Sequence, residues 1–288
     1  MRVLLLLTLS SVFFLSNLWV SHVISREVRK GITERYILPT KMYLLFVPRD
    51  LTYGLSDLGF INTLAFIGYS VEKGSGEISR PTAFRIYDAL SAVTFYNPSY
   101  FDPYYVGNAF LTWGAGLYEE AIKLLKRGME HVRDWRIPFY IGFNYFYFLN
   151  DNLKGAEYMS IASRYPEARE YNLIPLLASR LYYEEGRIEV ALTLLKEQLK
   201  VMRDERMKKA IRSRIVTLER AKMIYEAMRV FRKRYGRNPK SLEELEAEGL
   251  IPPGLRDSAG GRFYITPEGK VRSEKVLFPI KKKAIEER

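Results

Sequence analysis

The chain has 288 residues, a formal net charge of +12 and no cysteine, which excludes disulfides, thiolate metal sites and cysteine nucleophiles. Apolar residues make up 48% of the sequence, enough to build a packed core without such cross-links. Many Lys, Arg and Glu beside a single glutamine, Gln198, resemble the composition of proteins from thermophiles.

The N-terminus predicts a membrane anchor. Residues 3–25 contain no Asp, Glu, Lys or Arg, and Leu, Val and Phe dominate as far as Val20. About 20 apolar residues are enough to span a bilayer as a helix. A cleaved signal peptide is the alternative, but the segment SNLWVSHVIS offers no small-residue cleavage site. We therefore expect residues 1–25 to anchor a single-pass membrane protein.

Two sequence signals predict opposite orientations of this anchor in the membrane. A very short N-terminal flank favours export of the rest of the chain, which would place the bulk outside the cytoplasm. Arg26, Arg29, Lys30 and Arg35 follow the anchor and favour the cytoplasmic side by the positive-inside rule. The extracytoplasmic orientation is our expectation, and the cytoplasmic one is the alternative.

Residues 26–76 form an apolar segment ahead of the main body of the chain. Its most apolar part is 36–71. We expect this segment to be helical and to cap or fill the groove of the repeat region that follows at about residues 77–202. A second membrane span is not expected there, because Lys41, Arg49 and Asp57 interrupt the segment.

The central region repeats every 35 residues. One column of the repeat holds turn formers: Gly116, Asp151 and Gly186. Five positions later a second column holds small residues: Ala121, Ala156 and Ala191. The turn column predicts a backbone φ near or above zero, and the alanines predict close approach of two helices. A period in this range is typical of stacked helical hairpins.

These columns resemble the tetratricopeptide repeat (TPR). Ala109, Asn144 and Ser179 match its small-residue column, and Tyr147 and Tyr182 match its tyrosine column. The period is 35 rather than the family's 34. We count three convincing units and one degenerate unit, with Ile86 in the alanine column, over about residues 77–202. The resemblance implies a mainly α fold, a TPR-like α–α superhelix of helical hairpins.

The same resemblance implies a binding groove, because the first helix of each TPR unit lines the concave surface. The positions that would face this groove are Val106, Phe110, Trp113, Ile141, Tyr145, Phe148, Leu176, Arg180 and Tyr183. This lining is apolar and aromatic with one cation, and it would fit an extended or helical apolar segment of another protein. The alternative is that residues 36–71 of the same chain fill the groove.

A long basic helix is predicted over residues 203–236. Residues 196–240 hold sixteen Lys or Arg and five Asp or Glu, a difference of +11. Within 205–235, apolar residues recur at helical spacing: Met207, Ile211, Leu218, Tyr225, Met228 and Phe231. The helix either caps the last repeat with a solvated basic face or contacts anionic lipid. The candidate lipid contacts are Lys208, Lys209, Arg212, Arg214, Arg232, Lys233 and Arg234.

Residues 237–279 predict a small α+β module, followed by a charged tail at 280–288. Ser241 and Glu244 have the spacing of a capping box at the start of a helix. Asp257 to Gly261 predicts a turn, and the strands RFYIT and KVRSE flank Pro267-Glu268-Gly269 as a β-hairpin.

This C-terminal segment resembles the C-terminal module of type II secretion pseudopilins. The matching positions are Gly236, Pro239, Ser241, Leu245, Gly249, Asp257, Gly260 and Gly261. Ser258 stands where that family usually has proline. The resemblance implies a shared helix-plus-hairpin module and not pilus polymerisation.

No motif predicts catalysis. The two histidines, His22 and His131, lie far apart, and no H-E-x-x-H, Walker-type or G-x-S-x-G motif is present. We expect no catalytic residues, no cofactor and no metal site, and nothing resembles a base-reading nucleic-acid motif. The sequence favours a membrane-anchored scaffold that binds another protein in a cell-envelope assembly, in a secretion or pilus system. The alternative is a module that contacts anionic lipid, with the repeats as a spacer.

Overall fold

The computed structural model of this protein describes residues 48–73, 78–171 and 173–275. The predicted anchor at 1–25 and the tail at 280–288 lie outside these ranges. The described part is mainly helical, with ten α-helices and a small two-stranded antiparallel sheet near its C-terminal end. Consecutive helices pack against each other, so the predicted fold class, an α-helical superhelix with a small C-terminal α+β module, is confirmed.

The chain divides into two compact units after Asn97. The first contains helices α1 (Arg49–Lys73) and α2 (Arg80–Tyr96), which pack against each other. Ser79 caps α2 by accepting a hydrogen bond from the Thr82 N–H. The sequence analysis assigned α2 to a degenerate first repeat. It is a helix with Ile86 fully buried, but it belongs to the same unit as α1.

The second unit begins with three helical hairpins at the predicted positions. Their helices are α3 (Phe101–Ala109), α4 (Tyr118–His131), α5 (Arg136–Tyr147), α6 (Asn152–Ser163), α7 (Leu173–Glu184) and α8 (Ile188–Val201). Helix α3 continues as a π-helix, Phe110–Gly114, and a 3₁₀-helix, Pro166–Glu170, joins the second and third hairpins.

The turn column is confirmed in two hairpins and wrong in one. Gly116 and Gly186 adopt φ of +66° and +72°. Asp151 has φ of −91°, and the positive φ of 54° falls on Asn150 instead. Asp151 serves as the N-cap of α6, where its carboxylate accepts the Lys154 N–H at 2.9 Å. Asparagine tolerates the left-handed backbone region, so Asn150 takes the positive φ of the turn and Asp151 can serve as the N-cap.

The alanine column is confirmed, since Ala121, Ala156 and Ala191 are all fully buried. The closest approach between helices occurs in the second hairpin. A Cβ at Gly142 would lie 2.8 Å from the Gly155 carbonyl oxygen and 2.9 Å from the Met159 backbone nitrogen. The backbones of α5 and α6 therefore pack almost in contact.

A π-helix interrupts the first helix of the first hairpin between Ala109 and the Gly116 turn. Just before it, Asn108 accepts a buried side-chain hydrogen bond from Asn144 at 2.7 Å. Ala109 is exposed, whereas Asn144 and Ser179, in the same predicted column, are buried.

The long basic helix is confirmed as α9 (Glu205–Tyr235). The Asp204 side chain accepts the Met207 N–H at 2.8 Å, and Gly236 ends the helix with φ of +68°. The apolar side of α9, including Ile211 and Leu218, joins the same buried cluster as Leu195 of α8. The helix therefore covers the last hairpin, as the capping alternative predicts.

The C-terminal module contains α10 (Leu242–Ala247) and a hairpin of β1 (Phe263–Ile265) and β2 (Val271–Ser273). The strands pair antiparallel with Phe263 opposite Ser273, as the sequence predicts. The predicted capping box is wrong. The Ser241 side chain makes no capping bond, and Glu244 accepts the N–H of Lys240 and a bond from Arg237.

Two tyrosines attach this hairpin to the helices. The Val271 N–H donates to the Tyr225 hydroxyl of α9 at 2.9 Å, and the Tyr183 hydroxyl of α7 donates to the Val271 carbonyl. The pattern of β1–β2 pairing leaves these Val271 groups on the outer edge of β2. The tyrosines therefore satisfy the edge strand and connect the module to the last repeat.

Candidate partner-binding surface

The predicted groove residues divide into exposed and buried positions. Trp113 is exposed, and four residues are partly exposed: Val106, Phe110, Tyr145 and Arg180. The remaining four are buried: Ile141, Phe148, Leu176 and Tyr183. Contrary to the expectation of an open lining, these four side chains lie in the interior and are not available to a partner.

A different surface emerges from the ring contacts of the first two hairpins. Eleven aromatic side chains form one connected network, which we call the aromatic band. Its members are Phe101, Tyr105, Trp113, Tyr118, Trp135, Phe139, Tyr140, Phe143, Tyr147, Phe148 and Tyr171. Only Trp113 and Phe148 were among the predicted groove residues.

The rings of the band contact each other across helices. The centroids of Tyr105 on α3 and Tyr140 on α5 are 5.8 Å apart. Trp113 lies 5.5 Å from Tyr147 and 4.9 Å, edge to face, from Phe148. These distances lie within the range of favourable aromatic pairs. The band is therefore a packed surface and not a set of isolated rings.

Three members of the band have large exposed fractions. They are Tyr105 at 45%, Trp113 at 58% and Tyr171 at 49%. Trp113 lies on the π-helix, and such single-turn insertions are frequent at functional sites. Partly buried rings support these three side chains from below, which holds them as rigid apolar anchors on the surface.

One end of the band borders a polar depression of about 350 Å³. It is lined by Arg133, Asp134, Trp135, Arg136, Glu167 and Tyr171. The Trp135 and Tyr171 rings are 4.8 Å apart, and the Arg136 guanidinium lies 4.0 Å from the centre of the Phe101 ring. Burial alone would raise the pKa of Asp134, but hydrogen bonds from Arg136 outweigh it and lower that pKa. The depression therefore holds a negatively charged Asp134 and a positively charged Arg136 beside the aromatic rings.

Tyr145 of α5 belongs to a separate cluster with residues of α4 and α6. Its ring stacks on Tyr158 at 5.8 Å, and its hydroxyl accepts a hydrogen bond from Lys126 at 3.2 Å. Lys154 lies 5.1 Å from the centre of the Tyr145 ring. The hydrogen bond to Tyr145 raises the pKa of Lys126. Lysines surround this pair of tyrosines, so it is distinct from the apolar band.

The predicted lipid contacts on α9 are mostly exposed. Lys209, Arg212, Arg232, Lys233 and Arg234 reach solvent. Lys208 is partly buried and pairs with Glu205 at 2.6 Å.

Arg214 is the exception, because only 7% of it is exposed and it is therefore not available to a lipid surface. Its Cζ lies 5.4 Å from the centre of the Tyr183 ring. Among the described residues, its buried Nε and Nη2 atoms have no hydrogen-bond partner. Burial lowers the pKa of Arg214 to about 10, which leaves the guanidinium charged at pH 7.

Within residues 48–73, 78–171 and 173–275, no group of His, Cys, Asp and Glu could hold a metal ion. No helix in the same ranges is both long and apolar enough to cross a membrane.

No protein-family model matches the sequence, and no curated protein matches it either. The function is therefore argued from the geometry above. Sequence reasoning missed most of the aromatic band. The available signal is the pair of Tyr105 and Tyr140, two aromatic residues one period of 35 apart.

Proposed function

We propose that this chain is a membrane-anchored, TPR-like scaffold that binds a segment of another protein along the aromatic band. The observation that carries the proposal is the connected network of rings with Tyr105, Trp113 and Tyr171 at its surface. Contiguous exposed apolar surface marks interaction sites, and aromatic and arginine side chains dominate binding energy in protein interfaces. We propose a role in a cell-envelope assembly, in a secretion or pilus system.

The band favours an apolar protein segment as its partner. Aromatic rings offer large contact areas at low conformational-entropy cost, because each has only two rotatable side-chain bonds. The supporting contacts, such as the stacked pair of Phe143 and Tyr147 at 5.1 Å, hold the surface in one geometry before binding. Arg133 and Glu167 at one end would pair with charges that flank the apolar segment.

Site-specific photo-crosslinking in intact cells tests this proposal. A benzoylphenylalanine at position 113 is expected to give a discrete crosslinked partner. The same probe at position 190, an equally apolar and exposed site on α8 outside the band, is expected to give none. Once that partner is identified, Trp113→Ala should weaken its binding at least about 30-fold, the effect of a 2 kcal/mol hot spot. Val190→Ala should leave the affinity unchanged.

Identical crosslinks from both positions, or wild-type affinity in both Trp113→Ala and Tyr105→Ala, would overturn the proposed use of the band. A crosslink from position 113 that survives Tyr105→Ala would restrict the site to the π-helix alone. Both readouts use the full-length chain, so the membrane segment and the repeats remain in their native context.

The lipid-binding alternative is carried by the exposed cations of α9, including Lys209, Arg212, Arg232 and Lys233. Each basic residue near an anionic membrane contributes about 1 kcal/mol. This function predicts binding to phosphatidylserine vesicles that weakens steeply with salt and with Arg232→Glu plus Lys233→Glu. The scaffold function predicts that the same double variant leaves the crosslink at position 113 intact.

We propose the extracytoplasmic orientation for the body of the chain. The sequence has no cysteine, so a single engineered one has no background from this protein. Arg229→Cys, at an exposed position of α9, should react with a membrane-impermeant thiol reagent in intact cells whose outer membrane, where present, has been permeabilised. Labelling only after lysis would place the body in the cytoplasm and would strengthen the lipid alternative.

A further inference from the structure

Helix α1 exposes several large apolar side chains and buries two small polar ones together with Phe60. Leu51, Leu58 and Ile61 expose 60%, 61% and 60% of their surface. On the side packed against α2, Ser56 and Thr63 are fully buried, and the Ser56 hydroxyl donates to the Val93 carbonyl at 3.1 Å. An ordinary surface helix has the reverse arrangement. The exposed side of α1 therefore has the character of an interface.

The exposed residues of α1 follow alternating steps of three and four. We call this row the α1 seam, and it consists of Leu51, Gly54, Leu58, Ile61, Ala65 and Gly68. This spacing is the repeat of a helix that packs lengthwise against another helix. The seam is about 26 Å long, from the rise of 1.5 Å per residue.

The two glycines of the seam make no close contact with the part of the chain that the structure describes. In the structure as described, nothing lies within 4 Å of a Cβ built at Gly54 or Gly68. A glycine inside a helix costs about 1 kcal/mol relative to alanine. A second helix that approaches this side closely would give both glycines a purpose, because it can come nearest where side chains are missing.

The sequence of α1 is partly the same read in either direction from Ile61. Six pairs at equal distances from Ile61 match in kind: Leu51 with Val71, Thr52 with Ser70, Tyr53 with Tyr69, Gly54 with Gly68, Leu55 with Ile67, and Leu58 with Leu64. Four other pairs do not match: Phe60 with Asn62, Gly59 with Thr63, Asp57 with Ala65, and Ser56 with Phe66. A two-fold axis through Ile61 would place the members of the six matching pairs opposite each other in an antiparallel pair of helices.

We propose that the α1 seam is a homodimer interface in which α1 of a second copy packs antiparallel, with the two-fold axis at Ile61. Ile61 then faces Ile61 of the second copy, and Gly54 faces the second copy's Gly68. Leu58 faces its Leu64, which lies beside the seam and is 40% exposed. Such an isologous interface uses one surface twice, and the six matching pairs supply both halves. This interface lies on α1 and is independent of the proposed function of the aromatic band.

Charge placement favours the antiparallel pair over a parallel one. Asp57 is exposed on the same side of α1. A parallel pair would set the two Asp57 carboxylates side by side, and like charges so placed are destabilising. The antiparallel pair separates them by eight residues along the helix axis, or about 12 Å.

The same residue argues against lipid as the occupant. A charged side chain within the hydrocarbon region costs about 2.5 to 3.5 kcal/mol, and Asp57 lies between Gly54 and Leu58 on the exposed side. A lipid surface would also gain nothing from Gly54 and Gly68, because glycine contributes little apolar area. A second protein helix accounts for the seam, the glycines and the six matching pairs together.

Cysteine crosslinking of the full-length, otherwise cysteine-free chain tests the geometry. Ile61→Cys should form a disulfide dimer under mild oxidation, and Asn62→Cys, exposed but next to the seam, should form at least tenfold less. Gly54→Cys and Gly68→Cys should each form no disulfide alone, because identical positions lie about 21 Å apart in the antiparallel pair. Mixing the two proteins should restore the disulfide.

Sedimentation of the uncrosslinked protein gives the second readout. Leu58→Lys should raise the dimer dissociation constant at least tenfold with unchanged circular dichroism, and Asn62→Lys should not. Dimers of Gly54→Cys alone would show parallel packing and overturn the proposed axis. A monomeric wild type, with Ile61→Cys no more reactive than Asn62→Cys, would overturn the interface, and insertion of this side into lipid vesicles would then be its use.

Discussion

Ser258 ties the turn at residues 257–261 to the long helix α9. Its hydroxyl hydrogen-bonds with Ser213 and Thr217 of α9, each at 2.7 Å, and its N–H donates to the Thr217 hydroxyl at 3.2 Å. Proline at this position would offer neither a hydroxyl nor an N–H. The contacts with α9 therefore favour serine at this place in the turn.

Replacing Ser258 tests this account. Ser258→Ala removes the hydroxyl bonds and should lower the free energy of unfolding by about 1 kcal/mol. Ser258→Pro also removes the N–H bond and should cost about 2 to 4 kcal/mol. Urea denaturation of both variants measures the difference. Equal stability of the two variants would show that the N–H bond to Thr217 contributes nothing.

Arg214 presents the opposite case, a buried charge whose Nε and Nη2 atoms find no hydrogen-bond acceptor among the described residues. Arg214→Met keeps the apolar stem and removes the charge, so it should raise the free energy of unfolding by about 1 to 3 kcal/mol. Arg212→Met, at an exposed position on the same helix, should change it by less than about 0.5 kcal/mol. If Arg214→Met is destabilised, the contact between the Arg214 cation and the Tyr183 ring stabilises the fold by more than the burial of the charge destabilises it.

At the scale of elements, the second hairpin is the most closely packed. Gly142→Ala would place a methyl group 2.8 Å from the Gly155 carbonyl, and backbone cannot yield as a flexible side chain can. We expect a net loss of about 2 kcal/mol, because overpacking outweighs the gain in helix propensity. Thermal unfolding measures it, with Glu157→Ala on the surface of α6 as the control. Wild-type stability in Gly142→Ala would show that α5 and α6 separate at little cost.

Helix positions and turns could be predicted because their signals are local. The bounds of α9 follow from Asp204, Gly236 and the apolar spacing between them, and the hairpin turn follows from Gly269. The capping of α6 by Asp151 could not be placed to the residue, because Asn150 competes for the positive φ. Local sequence signals therefore predict that a helix or turn is present, but not the residue at which it begins or ends.

The aromatic band could not be predicted, because it depends on a change in helix type and on contacts between hairpins. Trp113 lies on the π-helix, and the family pattern assumes an uninterrupted α-helix at this place. The burial of Ile141 and Arg214 likewise arises from packing of distant segments. A family pattern therefore assigns faces to helices only where the helix type is uniform.

At the scale of the molecule, the C-terminal module and the last repeat belong to one unit joined through Val271. The Tyr183 hydroxyl lies in this joint. Burial raises the pKa of Tyr183 above its ordinary value of 10.0, with a further contribution from Tyr225. The hydroxyl therefore stays protonated in the folded protein at a pH where it ionises in the unfolded chain.

The sign of the resulting pH dependence follows from linkage. Below pH 10 the tyrosine is neutral in both states, so its contribution to stability is complete. Above pH 10 the unfolded chain releases the proton and the folded protein does not, so stability falls by up to about 1.4 kcal/mol per pH unit. The lowered pKa of Arg214 gives the opposite dependence of stability on pH. Because Arg214 is present in both the wild type and a Tyr183 variant, it does not account for a difference between them.

Tyr183→Phe should therefore be less stable than the wild type at pH 8 and should lose less stability between pH 9 and pH 11. Urea denaturation across this range measures how the free energy of unfolding of the wild type and of Tyr183→Phe changes with pH. Tyr264→Phe, at a position that is 48% exposed, removes one tyrosine without touching the joint and should follow the wild-type slope. Parallel slopes for all three proteins would contradict a buried, protonated Tyr183. A shallower slope for Tyr183→Phe alone would show that the repeats hold the module through this hydroxyl, so that alkaline pH weakens the joint.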